Sequence, residues 1–116
     1  TRPQDDGDGA YRAMKSALNQ GNMRIAAIFP KLVAENDLDH INTHATSTPA
    51  GDLCEARAIF RLLKEKKELL DKVSVTANKS AIGHTFGAAG GIESIFTILA
   101  LKHVSYSVNL LLKFRE

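Results

Sequence analysis

Two histidines each follow a short strand-like segment and open a loop that leads into a helix. Residues 41–52 read Ile-Asn-Thr-His-Ala-Thr-Ser-Thr-Pro-Ala-Gly-Asp, and residues 78–91 read Asn-Lys-Ser-Ala-Ile-Gly-His-Thr-Phe-Gly-Ala-Ala-Gly-Gly. If the two strands lie parallel in one sheet, both loops leave its carboxyl edge, where α/β proteins bind their ligands. We therefore expect His44 and His84 to face one cleft, in an arrangement typical of catalysis.

Hydrophobic periodicity predicts helices and strands in alternation along the chain. An apolar stripe predicts a first helix over 8–20 that stops at Gly21. Asp52, with Glu55 three residues on, is expected to cap the second helix. Residues 24–29 suit either a strand or a helix broken by Pro30. The other predicted elements are strands at Asp39–Thr43, Val73–Ala77 and Ser105–Leu112, and helices at Asp52–Leu70 and Gly90–Lys102.

Alternation of this kind predicts an α/β protein with a parallel or mixed sheet covered by helices. The 116 residues suffice for about one small domain. The net charge is +2, with basic and acidic residues interleaved, so no nucleic-acid partner is expected. The longest strongly apolar stretch, Ile92–Leu101, is shorter than the ~20 residues of a membrane span, so no membrane partner is expected either. A single cysteine excludes an intrachain disulfide and fits a reducing compartment.

Each candidate residue also has a structural interpretation. A histidine after a strand is often a satisfied structural residue, and the hydroxyls that follow His44 are typical of turns and helix caps. The glycines around His84 suit either an anion at the next helix N-terminus or tight helix packing. Lys79 is either a surface lysine or the partner of Glu93, a carboxylate that needs pairing in an otherwise apolar helix.

Metal, nucleotide and thiol chemistry are weaker interpretations of the same residues. His40, His44 and His84 could form a three-histidine set, but a four-residue spacing across a strand end is a poor ligand spacing, so no metal is expected. The glycine spacing at 83–91 matches neither a Walker loop nor a dinucleotide fingerprint. Acidic neighbours oppose thiolate formation at Cys54, which favours a buried packing residue over a nucleophile.

The two histidine motifs, in this order and at this distance, closely resemble the C-terminal half of β-ketoacyl-acyl-carrier-protein synthases. These are the elongating condensing enzymes of fatty-acid synthesis, and their fold is thiolase-like. The likeness extends over Asp8–Gly21 and Glu93–His103. It implies that the chain is the C-terminal half of a thiolase-like α/β fold, with a mixed sheet covered by helices.

The resemblance also implies roles for four residues. His44 and His84 would hold the thioester carbonyl of malonyl-acyl-carrier protein and stabilise the enolate that decarboxylation forms, an oxyanion-type contribution that neutral imidazoles can make. Lys79 would support the site electrostatically, and Glu93 would organise it. No cofactor is implied. The partners implied are acyl carrier protein bearing a malonyl or acyl thioester and, for the full-length enzyme, a second copy of itself.

Three departures from the family pattern suggest a fragment truncated at both ends. The family's nucleophilic cysteine belongs to the N-terminal half, and Cys54 does not match it. The segment at 22–36 is longer than the usual link, and the tail at 104–116 diverges and ends before the family's Gly-Phe-Gly-Gly segment. Residues 1–116 are therefore expected to be a partial β-ketoacyl synthase C-terminal domain.

The function expected of the parent protein is 3-oxoacyl-acyl-carrier-protein synthesis by decarboxylative Claisen condensation, an acyl transfer. The chain alone is expected to be inactive and, because it should expose apolar surface, to self-associate. Bacterial cytoplasm, mitochondrion or plastid would all suit it. The alternatives are a catalytically inactive remnant that acts as an interaction module and a nucleotide-binding module that uses the glycine loop.

Overall fold

The computed structural model of the protein describes residues 6–28 and 38–103, with residues 22–28 described by their main chain alone. The predicted strand Ser105–Leu112, the tail at 104–116 and the atypical segment after residue 28 lie outside these residues. The described elements, in chain order, are α1 (Asp8–Ile28), β1 (His40–Asn42), α2 (Pro49–Lys64), α3 (Lys67–Lys72), β2 (Ser74–Thr76), α4 (Lys79–Ile82), a 3-10 helix (Phe86–Ala88) and α5 (Ala89–His103).

The two strands pair in parallel, which is one of the two arrangements, parallel or mixed, that the sequence predicts. Ile41 lies opposite Val75, and Asn42 lies opposite Thr76. Each strand is one residue shorter at both ends than predicted. Parallel neighbours need a long crossover, and here α2 and α3 supply it. Because both strands run in the same direction, the segments that follow them leave the sheet at one edge.

Alternate side chains of β1 point to opposite faces of the sheet. Ile41 packs into the main core together with Val75 of β2, whereas the side chain of Asn42 contacts α5 on the other face. The buried members of the main core come from α2, α3 and β2, and are Ile59, Leu63, Leu69 and Val75. The described residues therefore form a small parallel sheet with helices on both faces. This agrees with the predicted α/β class, while the mixed sheet and the thiolase-like architecture remain predictions.

The helix α1 lies against α2 through a second apolar cluster and a polar group at its edge. Tyr11 is buried beside Ala58 and Leu62. Its hydroxyl donates a hydrogen bond to the carboxylate of Glu65 and accepts one from Lys15 Nζ at 2.9 Å. These hydrogen bonds from and to Tyr11 lower the pKa of Glu65 and raise the pKa of Lys15, with the ion pair between the two groups adding to both shifts.

The prediction that α1 ends at Gly21 is wrong, because the helix continues to Ile28. Gly21 does not adopt a positive φ, so it does not form the left-handed cap that ends many helices. The residues that follow it include Met23, Ala26 and Ala27, which are good helix formers and offset the cost of about 1 kcal/mol for a glycine inside a helix. Of the two alternatives for residues 24–28, the structure shows the helix.

The second predicted helix is wrong at both ends. It begins at Pro49 rather than after Asp52, because proline fits the first helical position, where its missing N–H costs nothing. It does not continue to Leu70, because Lys66 is extended at φ −132° and ψ 98°. The short helix α3 begins at the next residue and places Leu69 in the core.

Candidate functional site

The two histidines meet at the carboxyl edge of the sheet. Their ring centroids are 5.4 Å apart, and the ring planes are nearly perpendicular, at 88°. Strand pairing continues one residue past β1, because the Thr43 N–H donates to the carbonyl oxygen of Thr76 at 2.8 Å. Both imidazoles are exposed. The structure thus places His44 and His84 side by side at this edge, as the sequence leads us to expect, while their catalytic role remains a prediction.

The loop after β1 is held by a carboxylate from the helix that follows it. Glu55 Oε1 accepts the main-chain N–H of His44 at 2.7 Å, and Oε2 accepts that of Ala45 at 2.8 Å. Ala45 and Ser47 have positive φ values of 28° and 63°, which are unfavourable for residues with a side chain. The predicted capping box of Asp52 and Glu55 is therefore wrong: α2 starts earlier, and Glu55 binds the histidine loop instead.

Gly51 lets this loop lie close against α2. A Cβ atom at position 51 would lie 2.4 Å from the hydroxyl oxygen of Thr48, which is closer than real Cβ contacts allow. That hydroxyl also lies 3.1 Å from the hydroxyl of Thr46. The Thr and Ser hydroxyls thus help to shape the turn, in line with the structural interpretation of the motif.

His84 is oriented by the residue two positions after it. The Phe86 N–H donates to His84 Nδ1 at 3.2 Å. The Phe86 ring stacks on the imidazole with centroids 4.8 Å apart and planes 16° apart. Because Nδ1 accepts a hydrogen bond, a neutral imidazole must carry its proton on Nε2, which makes Nε2 a hydrogen-bond donor.

Of the two alternatives for Lys79, the structure shows the ion pair with Glu93. Lys79 Nζ bonds Glu93 Oε1, and the two side chains are 4% and 12% exposed. Lys79 is therefore not a surface lysine. It lies in α4, a single turn that begins three residues after β2, whereas Glu93 lies near the start of α5. Removal of one member of a pair this buried is costly, because the other charge is then left buried without a partner.

The glycines of the second loop do not pack tightly against the described parts of the chain. Cβ atoms at Gly87, Gly90 and Gly91 would meet nothing within 4 Å there. Gly83 is different, because its φ of 77° favours glycine. Tight helix packing therefore does not account for these glycines among residues 6–28 and 38–103.

Asn42 also belongs to this site, although no sequence motif singles it out. Its side-chain Nδ2 donates to Asn78 Oδ1 at 2.8 Å and to Thr97 Oγ1 at 3.2 Å, and it lies 3.4 Å from the main-chain oxygen of Glu93. Asparagine is uncommon in β-strands, so an asparagine in the predicted strand, two residues before His44, is the sequence feature that could have indicated a role in the site.

A family model described as the C-terminal domain of β-ketoacyl synthases matches residues 1–110. The chain belongs to the β-ketoacyl synthase family. The resemblance drawn from the two histidine motifs is thereby confirmed over nearly the whole chain.

Several curated relatives carry the corresponding name. A mitochondrial 3-oxoacyl-acyl-carrier-protein synthase of Arabidopsis thaliana is 42% identical over 103 residues, covering 89% of this chain and 20% of the relative. The 3-oxoacyl-acyl-carrier-protein synthase 2 of Rhizobium meliloti and that of Staphylococcus aureus are each 41% identical over 102 residues, or 88% of this chain. The chain spans about a fifth of the length of these relatives. Comparison with solved structures finds no significant match.

The remaining titratable candidates of this β-ketoacyl synthase chain do not form a second reactive centre within the described residues. Cys54 is buried, as expected of a packing residue, and is 5% exposed. It lines a pocket of about 240 Å³ that lies between the His44 loop and the start of α1. His40 Nε2 lies 3.1 Å from Thr76 Oγ1, and no group of three ligating side chains suited to a metal occurs among these residues. None of the described helices is long and apolar enough to span a bilayer.

Proposed function

We propose that the full-length protein carrying this chain is a 3-oxoacyl-acyl-carrier-protein synthase. This chain supplies the residues that bind the malonyl thioester and stabilise its enolate. The observation that carries the proposal is the pair of exposed imidazoles 5.4 Å apart at one sheet edge, of which His84 presents Nε2 as a donor. The names of the relatives support the substrate class.

In the proposed reaction, His44 and His84 donate hydrogen bonds to the thioester carbonyl oxygen of a malonyl group. The bond between the α-carbon and the carboxylate then breaks. Carbon dioxide leaves, and the electron pair forms an enolate whose oxygen keeps both hydrogen bonds. Donors that are already in place when this charge develops need no reorganisation, which is why such stabilisation is large.

Condensation follows when the enolate carbon attacks an acyl thioester on a cysteine outside this chain. The new carbon–carbon bond forms as the cysteine thiolate leaves. Cys54 is an unsuitable nucleophile because its thiol is buried on α2. Lys79 supports the developing negative charge, and Glu93 holds Lys79 in place through their ion pair.

The same proposal extends to partners, architecture and compartment. Acyl carrier protein delivers the malonyl and acyl groups, and the full-length enzyme is a homodimer with a thiolase-like fold. The mitochondrial relative supports an organellar location as one of the expected compartments, beside the bacterial cytoplasm. Sedimentation and cell fractionation of the full-length protein test these parts of the proposal.

The test of the reaction itself is release of carbon dioxide from malonyl-acyl-carrier protein by the full-length protein. Replacement of His44 or His84 by alanine is expected to lower the rate about a hundredfold. His103, an exposed histidine at the end of α5, provides the matched control, and His103→Ala should keep the native rate. Equal rates for the native protein and both site variants would refute the proposal.

A non-catalytic interaction module is the second candidate. The observation that favours it is the apolar surface of α5, where Ile95 and Ile98 are 60% and 63% exposed. This candidate predicts a full-length protein with no decarboxylation or condensation activity that still binds a partner through α5.

A further inference from the structure

The Asn42 side chain joins three separate elements of the site. Its amide group lies at the end of β1 and reaches Asn78, the residue directly before Lys79, and Thr97 in α5. It also approaches the main-chain oxygen of Glu93, which is the other member of the buried ion pair. One side chain therefore contacts both the segment that carries Lys79 and the helix that carries Glu93.

Asn78 fixes the start of α4 on which Lys79 lies. Its main-chain oxygen accepts the N–H groups of Ala81 and Ile82 at 3.0 and 3.2 Å. Its side chain is buried, and the amide oxygen Oδ1 accepts the hydrogen bond from Asn42. A shift of Asn78 would therefore move the first turn of α4 and the ammonium group of Lys79 with it.

This arrangement leaves a buried polar atom unsatisfied. Asn42 Oδ1 is buried and has no hydrogen-bond partner among the described residues. An unsatisfied buried carbonyl typically costs about 1–3 kcal/mol, and each such atom in a native protein needs an explanation. We explain this cost by the Nδ2 group of Asn42, which donates hydrogen bonds that no apolar strand residue could make.

We propose that Asn42 is a positioning residue for the site and acts through the Lys79–Glu93 ion pair. Its amide sets the distance between β1, α4 and α5, and so it holds the ammonium group of Lys79 against the carboxylate of Glu93. The catalytic consequence of this inference rests on the proposed function. The coupling between Asn42 and the ion pair does not, because it is a property of the fold.

The kinetic test uses malonyl decarboxylation by the full-length protein. Asn42→Ala should lower kcat between about tenfold and a hundredfold with KM within about twofold of native, because small misplacements of a reacting group are costly while substrate binding is spread elsewhere. Asn78→Ala should lower kcat by less. Asn78→Ser retains an acceptor oxygen and should keep most of the native kcat. Asn19→Ala, at an exposed asparagine of α1, should change nothing.

A double-mutant cycle separates positioning from general stability. In a Glu93→Gln background, where the ion pair is already lost, Asn42→Ala should lower kcat by less than about threefold further. If instead the two losses multiply, Asn42 does not act through the ion pair and the inference is overturned. A KM that rises as much as kcat falls would also overturn it.

The same cycle measured on unfolding of the 116-residue chain distinguishes the two proposals. If the native full-length protein releases no carbon dioxide, the proposed function fails. If the effects of Asn42→Ala and Glu93→Gln on the urea midpoint are non-additive, they still support the inference in that case. Additive effects of the two substitutions would refute it.

Discussion

Glu55 binds His44 through the main chain rather than through the imidazole. One carboxylate oxygen accepts the His44 N–H at 2.7 Å, and the other accepts the N–H of the next residue at 2.8 Å. The loop bends at Ala45 and Ser47 through positive-φ backbone conformations that cost energy. The carboxylate therefore offsets part of the cost of this bend by binding the main chain of the loop.

We expect Glu55→Gln to loosen this loop. The amide of glutamine offers one acceptor oxygen, and its NH₂ group would meet the second main-chain N–H. Loss of a hydrogen bond to a partly buried charged group should lower the free energy of unfolding by about 1 kcal/mol and speed amide exchange at His44 and Ala45. Hydrogen exchange followed by NMR measures both amides, and Asp71→Asn, at an exposed acid of α3, is the control. Unchanged exchange at both positions would contradict this.

The buried pair of Lys79 and Glu93 should be strongly asymmetric in its response to substitution. Lys79→Met leaves the carboxylate buried without its partner and should cost about 3–5 kcal/mol of unfolding free energy, whereas Lys79→Met combined with Glu93→Leu should cost less than either single change. Urea denaturation measures all three variants. The matched control is Lys72→Met, because Lys72 pairs with Asp39 at the surface with both side chains about half exposed, and its loss should cost below about 1 kcal/mol. A double variant less stable than both single variants would contradict the expectation.

The tautomer of His84 is a direct consequence of the Phe86 N–H contact. We expect the neutral ring to carry its proton on Nε2, since Nδ1 accepts a hydrogen bond. Nitrogen-15 chemical shifts of the imidazole at alkaline pH report the position of the proton. A ring protonated mainly on Nδ1 would show that the contact does not form in solution, and it would remove the donor from the proposed mechanism.

Stability should fall in mild acid partly because of His40. Burial lowers the pKa of His40 below its ordinary value of 6.5, so the folded chain binds fewer protons at this site than the unfolded chain just below that pH. The unfolded state is then favoured as pH falls from 6.5 towards the lowered pKa, and the stabilising contribution is complete above 6.5. Urea midpoints between about pH 8 and about pH 5 should therefore fall less steeply for His40→Gln than for the native chain. Parallel curves for the two proteins would refute this.

The apolar surface of α5 should make the 116-residue chain self-associate. Ile95, Ile98 and Leu101 are each at least half exposed, and contiguous apolar surface of this kind favours association. Ile95→Lys combined with Ile98→Lys should shift the sedimentation profile towards the monomer. Leu53→Lys, at an exposed leucine of α2, should leave it unchanged. A native chain that sediments as a monomer would contradict the expectation.

The sequence was sufficient to predict those features that depend on local pattern. The β-branched alternation at 73–77 and the strand before His44 predicted two strands of a parallel or mixed sheet, and the carboxylate in an apolar helix made Lys79 a candidate partner of Glu93. The structure shows a parallel pair and this ion pair. Local pattern sufficed here because a buried charge needs a partner and leaves few alternatives.

The incorrect predictions have a different cause, which is competition between local sequence signals and tertiary contacts. Asp52 and Glu55 match a capping box, but Pro49 starts the helix first and Glu55 is drawn to the main chain of the histidine loop. Gly21 is a good helix stop in isolation, yet α1 continues through it. Asn42 was overlooked because its three acceptors come from residues 36 to 55 positions away, which no local pattern reveals.

The register of β1 against β2 and the loops that follow the two strands, rather than the length of the chain between the strands, set the spacing of the two imidazoles. The crossover through α2 and α3 can therefore gain or lose residues in evolution without separating them. Within the three residues of β1 there is no such tolerance, because a one-residue change of register would turn Ile41 towards α5 and Asn42 towards the main core. Insertions and deletions among natural relatives should accordingly be common in the crossover through α2 and α3 and rare in β1.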